Sequence, residues 1–153
     1  MINGYTLSKE DFIPFVPEKS TFIIPLMNPK TRRIVYWVIT LLALLPAAGS
    51  SIAYFMQPPE VVESVARLKI PYELLYLLGP LKLLGVLAIL VGKIKVLKEW
   101  AYAGFVFDFI GAAWLHSVAG DAPSEMGFPL FLTVLTLVSY VLWKQMERDQ
   151  ATA

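Results

Sequence analysis

An acidic side chain at the centre of a long apolar segment most limits what this chain can fold into. The segment 99–117 is long enough to cross a bilayer, and it carries Asp108 nine residues from each end. A carboxylate at that depth costs about 2.5–3.5 kcal/mol, so it requires a partner or a water-filled cavity. The preceding apolar segment, 72–92, carries Lys82 ten residues from each of its ends. Because antiparallel neighbouring helices would place both charges at one depth, we predict an ion pair between them.

Composition places the chain in a lipid bilayer. Hydrophobic residues make up 57% of the sequence, against ~45–50% in soluble proteins, and charged residues 16%, against ~25%. A net charge of +1 lacks the excess of basic residues that is typical of proteins that bind nucleic acid. The absence of cysteine excludes disulfides and thiolate ligands, and the single histidine, His116, is too few for a histidine cluster, so we predict no metal site.

Four apolar segments approach or exceed the ~20 residues that a membrane-spanning helix needs. We therefore predict an all-α fold, an integral membrane four-helix bundle that occupies residues 34–143. Residues 1–33 are expected to form a cytoplasmic or interfacial tail, with a helix start at Asn28-Pro29, and residues 144–153 a C-terminal tail. The predicted spans are 34–56, 72–92, 99–117 and 127–143.

Two connecting segments have distinct patterns. Residues 57–70 are polar, but Val61, Val62, Val65 and Leu68 repeat at helical spacing, which predicts a short amphipathic helix between the first and second spans. This helix either lies flat in the membrane interface or caps the end of the bundle. Residues 93–98 contain three lysines and predict a tight basic turn, so the second and third spans form an antiparallel hairpin.

The distribution of basic residues predicts the orientation. The N-terminal tail, the 93–98 turn and the C-terminal tail together hold ten lysines and arginines, whereas the opposite side holds only Arg67 and Lys69. Because basic residues concentrate on the cytoplasmic side, we predict a multi-pass protein of the cell membrane with both termini in the cytoplasm.

The central pair has two interpretations. Lys82 lies ~15 Å from either end of its span, so its side chain cannot reach water by snorkelling alone. The pair with Asp108 either fixes the register of two helices or forms a polar centre for a proton or ligand. Intramembrane ionisable groups favour the second interpretation, and their mutual pairing favours the first.

A second polar cluster is expected at the outer end of the same hairpin. If Lys82 is level with Asp108, then His116 is level with Leu74. Histidine is the natural proton carrier near neutral pH, so this cluster is a candidate ligand or proton site. The alternative is that His116 only caps the end of its helix. The candidate residues are Tyr72, Glu73, Tyr76, His116 and Asp121.

The same residues carry a resemblance to a known family. The sequence Leu-Gly-Pro-Leu-Lys-Leu-Leu-Gly at 78–85 and Glu-Trp-Ala-Tyr-Ala-Gly at 99–104, followed by Asp108, His116 and Gly120-Asp121, resembles the DoxX-like family of small four-span bacterial membrane proteins. The family motif falls on Glu99, Trp100, Tyr102 and Gly104. The chain departs from the family pattern at 69–70, where we expect a glycine followed by an aromatic residue.

The resemblance implies two kinds of function. Family members resemble a subunit of thiosulfate:quinone oxidoreductase, which implies a quinone- or lipid-binding subunit of a redox system in the bacterial inner membrane. No intrinsic cofactor is expected, and electrons would come from a partner redox protein. The alternative is a non-enzymatic carrier, channel or membrane assembly factor that uses the polar centre to hold its cargo. The sequence identifies neither catalytic residues nor an oligomeric state.

Overall fold

The computed structural model describes residues 27–152, and this part of the chain is all-helical. Four of its five helices are long and apolar enough to span a membrane, which confirms the predicted fold class. Residues 1–26, most of the predicted N-terminal tail, lie outside the described residues. The helices are α1 (Pro29–Met56), α2 (Pro59–Arg67), α3 (Tyr72–Val91), α4 (Lys95–Ala119) and α5 (Pro123–Thr152).

The first helix begins where its capping signal predicts. The Asn28 side chain accepts a hydrogen bond from the Lys30 backbone N–H at 3.1 Å, and Pro29 occupies the first helical position. Proline loses nothing there, since the first N–H groups of a helix have no partner within it. The helix then continues through Pro46 to Met56.

The four long helices form a ring in which α1 packs against α3 and α5, and α4 completes it by contacting the same two helices. The α3–α4 seam is the least closely packed of the four. Its register is the predicted one, because Lys82 meets Asp108 and a Cβ at Gly85 would lie 3.0 Å from the Phe105 ring. The buried core contains Leu44, Ala47, Val86, Ile89, Tyr102, Phe105, Phe109 and Leu132.

The predicted basic turn is wrong in its second half. Only residues 92–94 separate α3 from α4, with Gly92 in the left-handed conformation at φ +61° that favours glycine. The helix α4 begins at Lys95, and Lys98 is buried within the bundle. Lys98 therefore lies in the helix and not in the predicted turn, and side chains of other helices contact its ammonium.

The last helix is longer than its predicted span of 127–143. It begins at Pro123 and continues to Thr152, so the described residues of the predicted C-terminal tail are helical. Contacts with α4 explain the extension, because Lys144 donates to Glu99 at 2.8 Å and Glu147 pairs with Lys95 at 2.6 Å.

The short helix α2 is tied to the end of the bundle opposite the α3–α4 turn. Its Val65 is buried, and Arg67 pairs with Asp121 at 3.4 Å beyond the end of α4. The Tyr72 hydroxyl at the start of α3 donates to the Val62 carbonyl at 3.3 Å. These contacts favour the interpretation in which α2 caps the bundle.

Candidate functional site

The central site is an ion pair shared between α3 and α4. Lys82 Nζ lies 3.1 Å from Asp108 Oδ2, and only 11% and 19% of the two side chains are exposed. The ammonium also lies 4.9 Å from the centre of the Tyr54 ring on α1, a cation–π distance. The Asp108 Oδ2 atom is buried, and within the described residues no donor forms a well-aligned hydrogen bond with it.

An apolar cleft of about 740 Å³ begins at this pair. It follows the loosely packed α3–α4 seam to the turn at Gly92 and Lys93, and its walls are mainly leucine, alanine and aromatic side chains. The cleft is open at Gly104, because a Cβ there would meet no atom within 4 Å. The arrangement is a long apolar groove with a charged inner end.

A second polar network, which the sequence interpretation missed, crosses the interior from α4 to α1 and α5. Lys98 Nζ donates to the Tyr36 hydroxyl at 3.0 Å, and that oxygen lies 3.5 Å from the Tyr102 hydroxyl. Tyr102 is 2.8 Å from the Ser139 hydroxyl, which is 2.6 Å from that of Thr40. Thr40 donates to the Tyr36 carbonyl at 2.6 Å. All five residues are buried.

The structure fixes the donors of this network only in part. Thr40 donates to the Tyr36 carbonyl, and Tyr102 donates to the Tyr36 hydroxyl. Because each hydroxyl has one proton to donate, Ser139 can donate to either Thr40 or Tyr102. The Tyr36 hydroxyl therefore accepts from both Lys98 and Tyr102, and the network links α1, α4 and α5.

The outer cluster contains only part of the predicted set. His116 Nδ1 lies 2.6 Å from Asp121 Oδ2, and the buried Asp121 carboxylate also pairs with Arg67, which the sequence interpretation did not include. Glu73 and Tyr76 are exposed and form no hydrogen bond or ion pair with other residues of the described chain. Tyr72 is engaged with α2.

The four residues of the motif at 99–104 have different positions. Trp100 and Gly104 line the cleft, Tyr102 belongs to the buried hydroxyl chain, and Glu99 accepts a hydrogen bond from Lys144. One turn and a half of α4 therefore connects the cleft with the interior of the bundle.

Residues 38–139 match the model of the DoxX-like family. The chain belongs to the DoxX-like family. Neither the curated proteins nor the solved structures include a significant match to it. The matched region of this DoxX-like protein contains both buried lysines and the outer cluster. Within residues 27–152, no group of three or more histidine, aspartate or glutamate side chains is arranged to hold a metal ion.

Proposed function

We propose that this DoxX-like protein is a quinone-binding subunit of a membrane redox system. The observation that carries the proposal is the apolar cleft between α3 and α4, whose inner end is the Lys82–Asp108 pair. Its volume of about 740 Å³ falls within the ~300–1,000 Å³ typical of small-molecule sites, which combine apolar walls with a few convergent polar groups.

The ion pair suits both redox states of a quinone. The Lys82 ammonium can donate a hydrogen bond to a quinone carbonyl, and the partly exposed Asp108 carboxylate can accept one from a quinol hydroxyl. A bound quinone would supply two-electron redox chemistry, and the family resemblance implies that a partner redox protein exchanges those electrons with it.

The depth of the pair favours a quinone over a phospholipid headgroup at this position. Lys82 is ten residues from each end of the predicted span 72–92. It therefore lies ~15 Å from either membrane surface, where phospholipid headgroups lie. A quinone ring is small, carries no formal charge and is attached to an apolar tail, so it can enter the hydrocarbon region.

The test uses two glycines of α4 that differ in one respect. A Cβ at either Gly104 or Gly111 would meet no atom within 4 Å, but only Gly104 lines the cleft. Quinone extracted from gently purified protein should be largely lost in Gly104→Leu and retained in Gly111→Leu, as measured by chromatography and mass spectrometry. Equal retention in both variants, or no quinone in the unmodified protein, would overturn the proposal.

A non-enzymatic lipid carrier or assembly factor is the second candidate. The cleft extends from the ion pair to Gly92 and Lys93 at the end of the bundle, which gives an acyl chain a route along the seam. The same mass spectrum distinguishes the two functions, because lipid or peptide in place of quinone would support the carrier.

We further propose that both termini face the cytoplasm of a bacterium. Contacts of Lys95, Lys98 and Lys144 gather these cations at the end of the bundle where α1 starts, whereas Arg67 lies at the opposite end. Because the chain has no cysteine, single cysteines report topology directly. In intact cells, Ala122→Cys should react with an impermeant thiol reagent and Ala151→Cys should not, and the reverse pattern would refute this orientation.

The outer cluster is proposed as the place where a proton or ligand exchanges with the outside. His116 is mostly buried against Asp121, at the end of the hairpin opposite the basic turn. His116→Ala should abolish activity or ligand retention while leaving thermal stability nearly unchanged. Unfolding of this variant, or full activity, would show that the cluster is structural.

A further inference from the structure

Lys98 is a buried cation without a carboxylate partner in the part of the chain that the structure describes. Only 6% of the residue is exposed. The two carboxylates between α4 and α5 at this end are paired with other lysines, Glu99 with Lys144 and Glu147 with both Lys144 and Lys95. This end of the α4–α5 interface therefore has three lysines, Lys95, Lys98 and Lys144, but only two carboxylates. The lysine without a carboxylate partner is the buried one, Lys98. A buried charge normally requires an opposite charge or complete hydrogen bonding.

The surroundings of the Lys98 ammonium satisfy it only in part. An ammonium has three N–H donors, and one of them is used on the Tyr36 hydroxyl. The rings of Trp143 and Tyr36, at 4.7 and 5.3 Å from Nζ, add cation–π attraction but accept no conventional hydrogen bond. Within the described residues, two N–H groups remain without a hydrogen-bond acceptor.

The ammonium lies beside Gly92, although Lys98 itself lines neither of the two clefts that meet that glycine. A Cβ at Gly92 would lie only 3.3 Å from Lys98 Nζ. Gly92 lines the α3–α4 cleft and also a smaller cleft of about 340 Å³, whose other walls include Lys95, Trp143 and Glu147. The absence of a side chain at Gly92 therefore leaves the buried cation adjacent to both clefts.

We propose that Lys98 binds one oxyanion of the phosphate class, which reaches the ammonium past Gly92. Such a ligand supplies the missing negative charge and accepts the two unused N–H groups as charge-assisted hydrogen bonds. Its source is either a phospholipid headgroup, with acyl chains in the α3–α4 cleft, or free phosphate. The proposal does not rest on quinone binding, because the headgroup is assigned to Lys98 and the quinone ring to Lys82 and Asp108, but the tails of both ligands would share the α3–α4 cleft.

Native mass spectrometry of the delipidated full-length protein in detergent tests the lipid source. Phosphatidylglycerol should be retained in preference to diacylglycerol with the same acyl chains, which lacks the phosphate. Lys98→Met should weaken phosphatidylglycerol binding about tenfold, the loss expected for a charge-assisted hydrogen bond, and Lys98→Arg should restore it. Lys30→Met removes an equal charge from an exposed position that lines neither cleft and should leave binding unchanged.

Two glycines provide a matched test of access. Gly92 and Gly120 both have positive φ, +61° and +75°, so alanine at either position introduces similar backbone strain. Only the methyl group of Gly92→Ala would lie beside Lys98 Nζ, since a Cβ at Gly120 meets no atom within 4 Å. Gly92→Ala should weaken phosphatidylglycerol binding, and Gly120→Ala should not.

Thermal melting of the same samples with sodium phosphate or sodium chloride tests the soluble source. A higher melting temperature in phosphate that Lys98→Met abolishes would identify free phosphate as a ligand, whereas retention of phosphatidylglycerol alone would identify a lipid headgroup. The proposal is overturned if Lys98→Met changes neither measurement, or if phosphatidylglycerol and diacylglycerol bind equally and phosphate does not raise the melting temperature. Quinone content, measured in parallel, reports on the proposed function separately.

Discussion

Two lysines lie inside this bundle, and the protein accommodates them in opposite ways. Lys82 has a carboxylate partner, Asp108, and sits at the end of an open cleft. Lys98 has hydroxyl and aromatic partners in a closely packed interior and no carboxylate partner among the described residues. The charge pair holds two helices, and the hydroxyl network at Lys98 links three. A buried lysine can therefore be held either by an opposite charge or by neutral groups that leave part of its hydrogen-bonding capacity unused.

The largest effect is expected from separating the central pair. Lys82→Met or Asp108→Leu alone leaves one charge without its partner in the hydrocarbon region, which should lower the free energy of unfolding by about 3–5 kcal/mol. The double variant should lose less than either single variant, because it leaves no charge behind. Equilibrium unfolding in lipid bicelles measures all four proteins. Additive losses would show that the two groups are not coupled.

A smaller effect is expected from interrupting the hydroxyl chain. Tyr102→Phe removes the donor to the Tyr36 hydroxyl and the partner of the Ser139 hydroxyl, so buried oxygens lose their partners and unfolding should become easier by about 1–3 kcal/mol. Tyr140→Phe is the control, because the neighbouring Tyr140 hydroxyl forms no hydrogen bond to other residues of the described chain. If the two variants melt alike, the chain contributes nothing to stability.

The smallest effect is expected from neutralising the second lysine. In Lys98→Met, loss of the hydrogen bond to Tyr36 is offset by removal of a buried cation that has no carboxylate partner among the described residues. The net change in unfolding free energy should be below about 1 kcal/mol. Lys82→Met, measured in the same bicelles, provides the comparison. A loss in Lys98→Met as large as that in Lys82→Met would remove the distinction between the two sites.

Several features of the fold and of the candidate site were predictable from local sequence. Lys82 and Asp108 are each central in an apolar run, and a tight hairpin leaves little freedom in register, so their pairing follows from counting residues. The cap at Asn28 and the helical stripe of 57–70 also depend only on neighbouring residues. The outer cluster was predicted less completely. Residues at the same level of a hairpin can point to different sides of their helices, and Glu73 and His116 illustrate this because they do not interact.

Lys98 shows the limit of local reasoning. It stands beside a lysine-rich turn, and its hydropathy indicates a residue in water. One signal was present, since Tyr36 with Thr40 and Lys98 with Tyr102 each repeat at four-residue spacing and would share a helix face. That spacing does not show which faces meet.

The sequence by itself determined the membrane class, the four spans, the register of the central hairpin and the family, because each depends on hydropathy, chain length or a contiguous motif. Only the tertiary structure decided that Lys98 turns inward, that a cleft follows the α3–α4 seam, and that the hydroxyls of Tyr36, Tyr102, Ser139 and Thr40 form one hydrogen-bonded network. The physical reason is that these features depend on the rotation and spacing of helices distant in sequence, which are set by the packing of all four helices together.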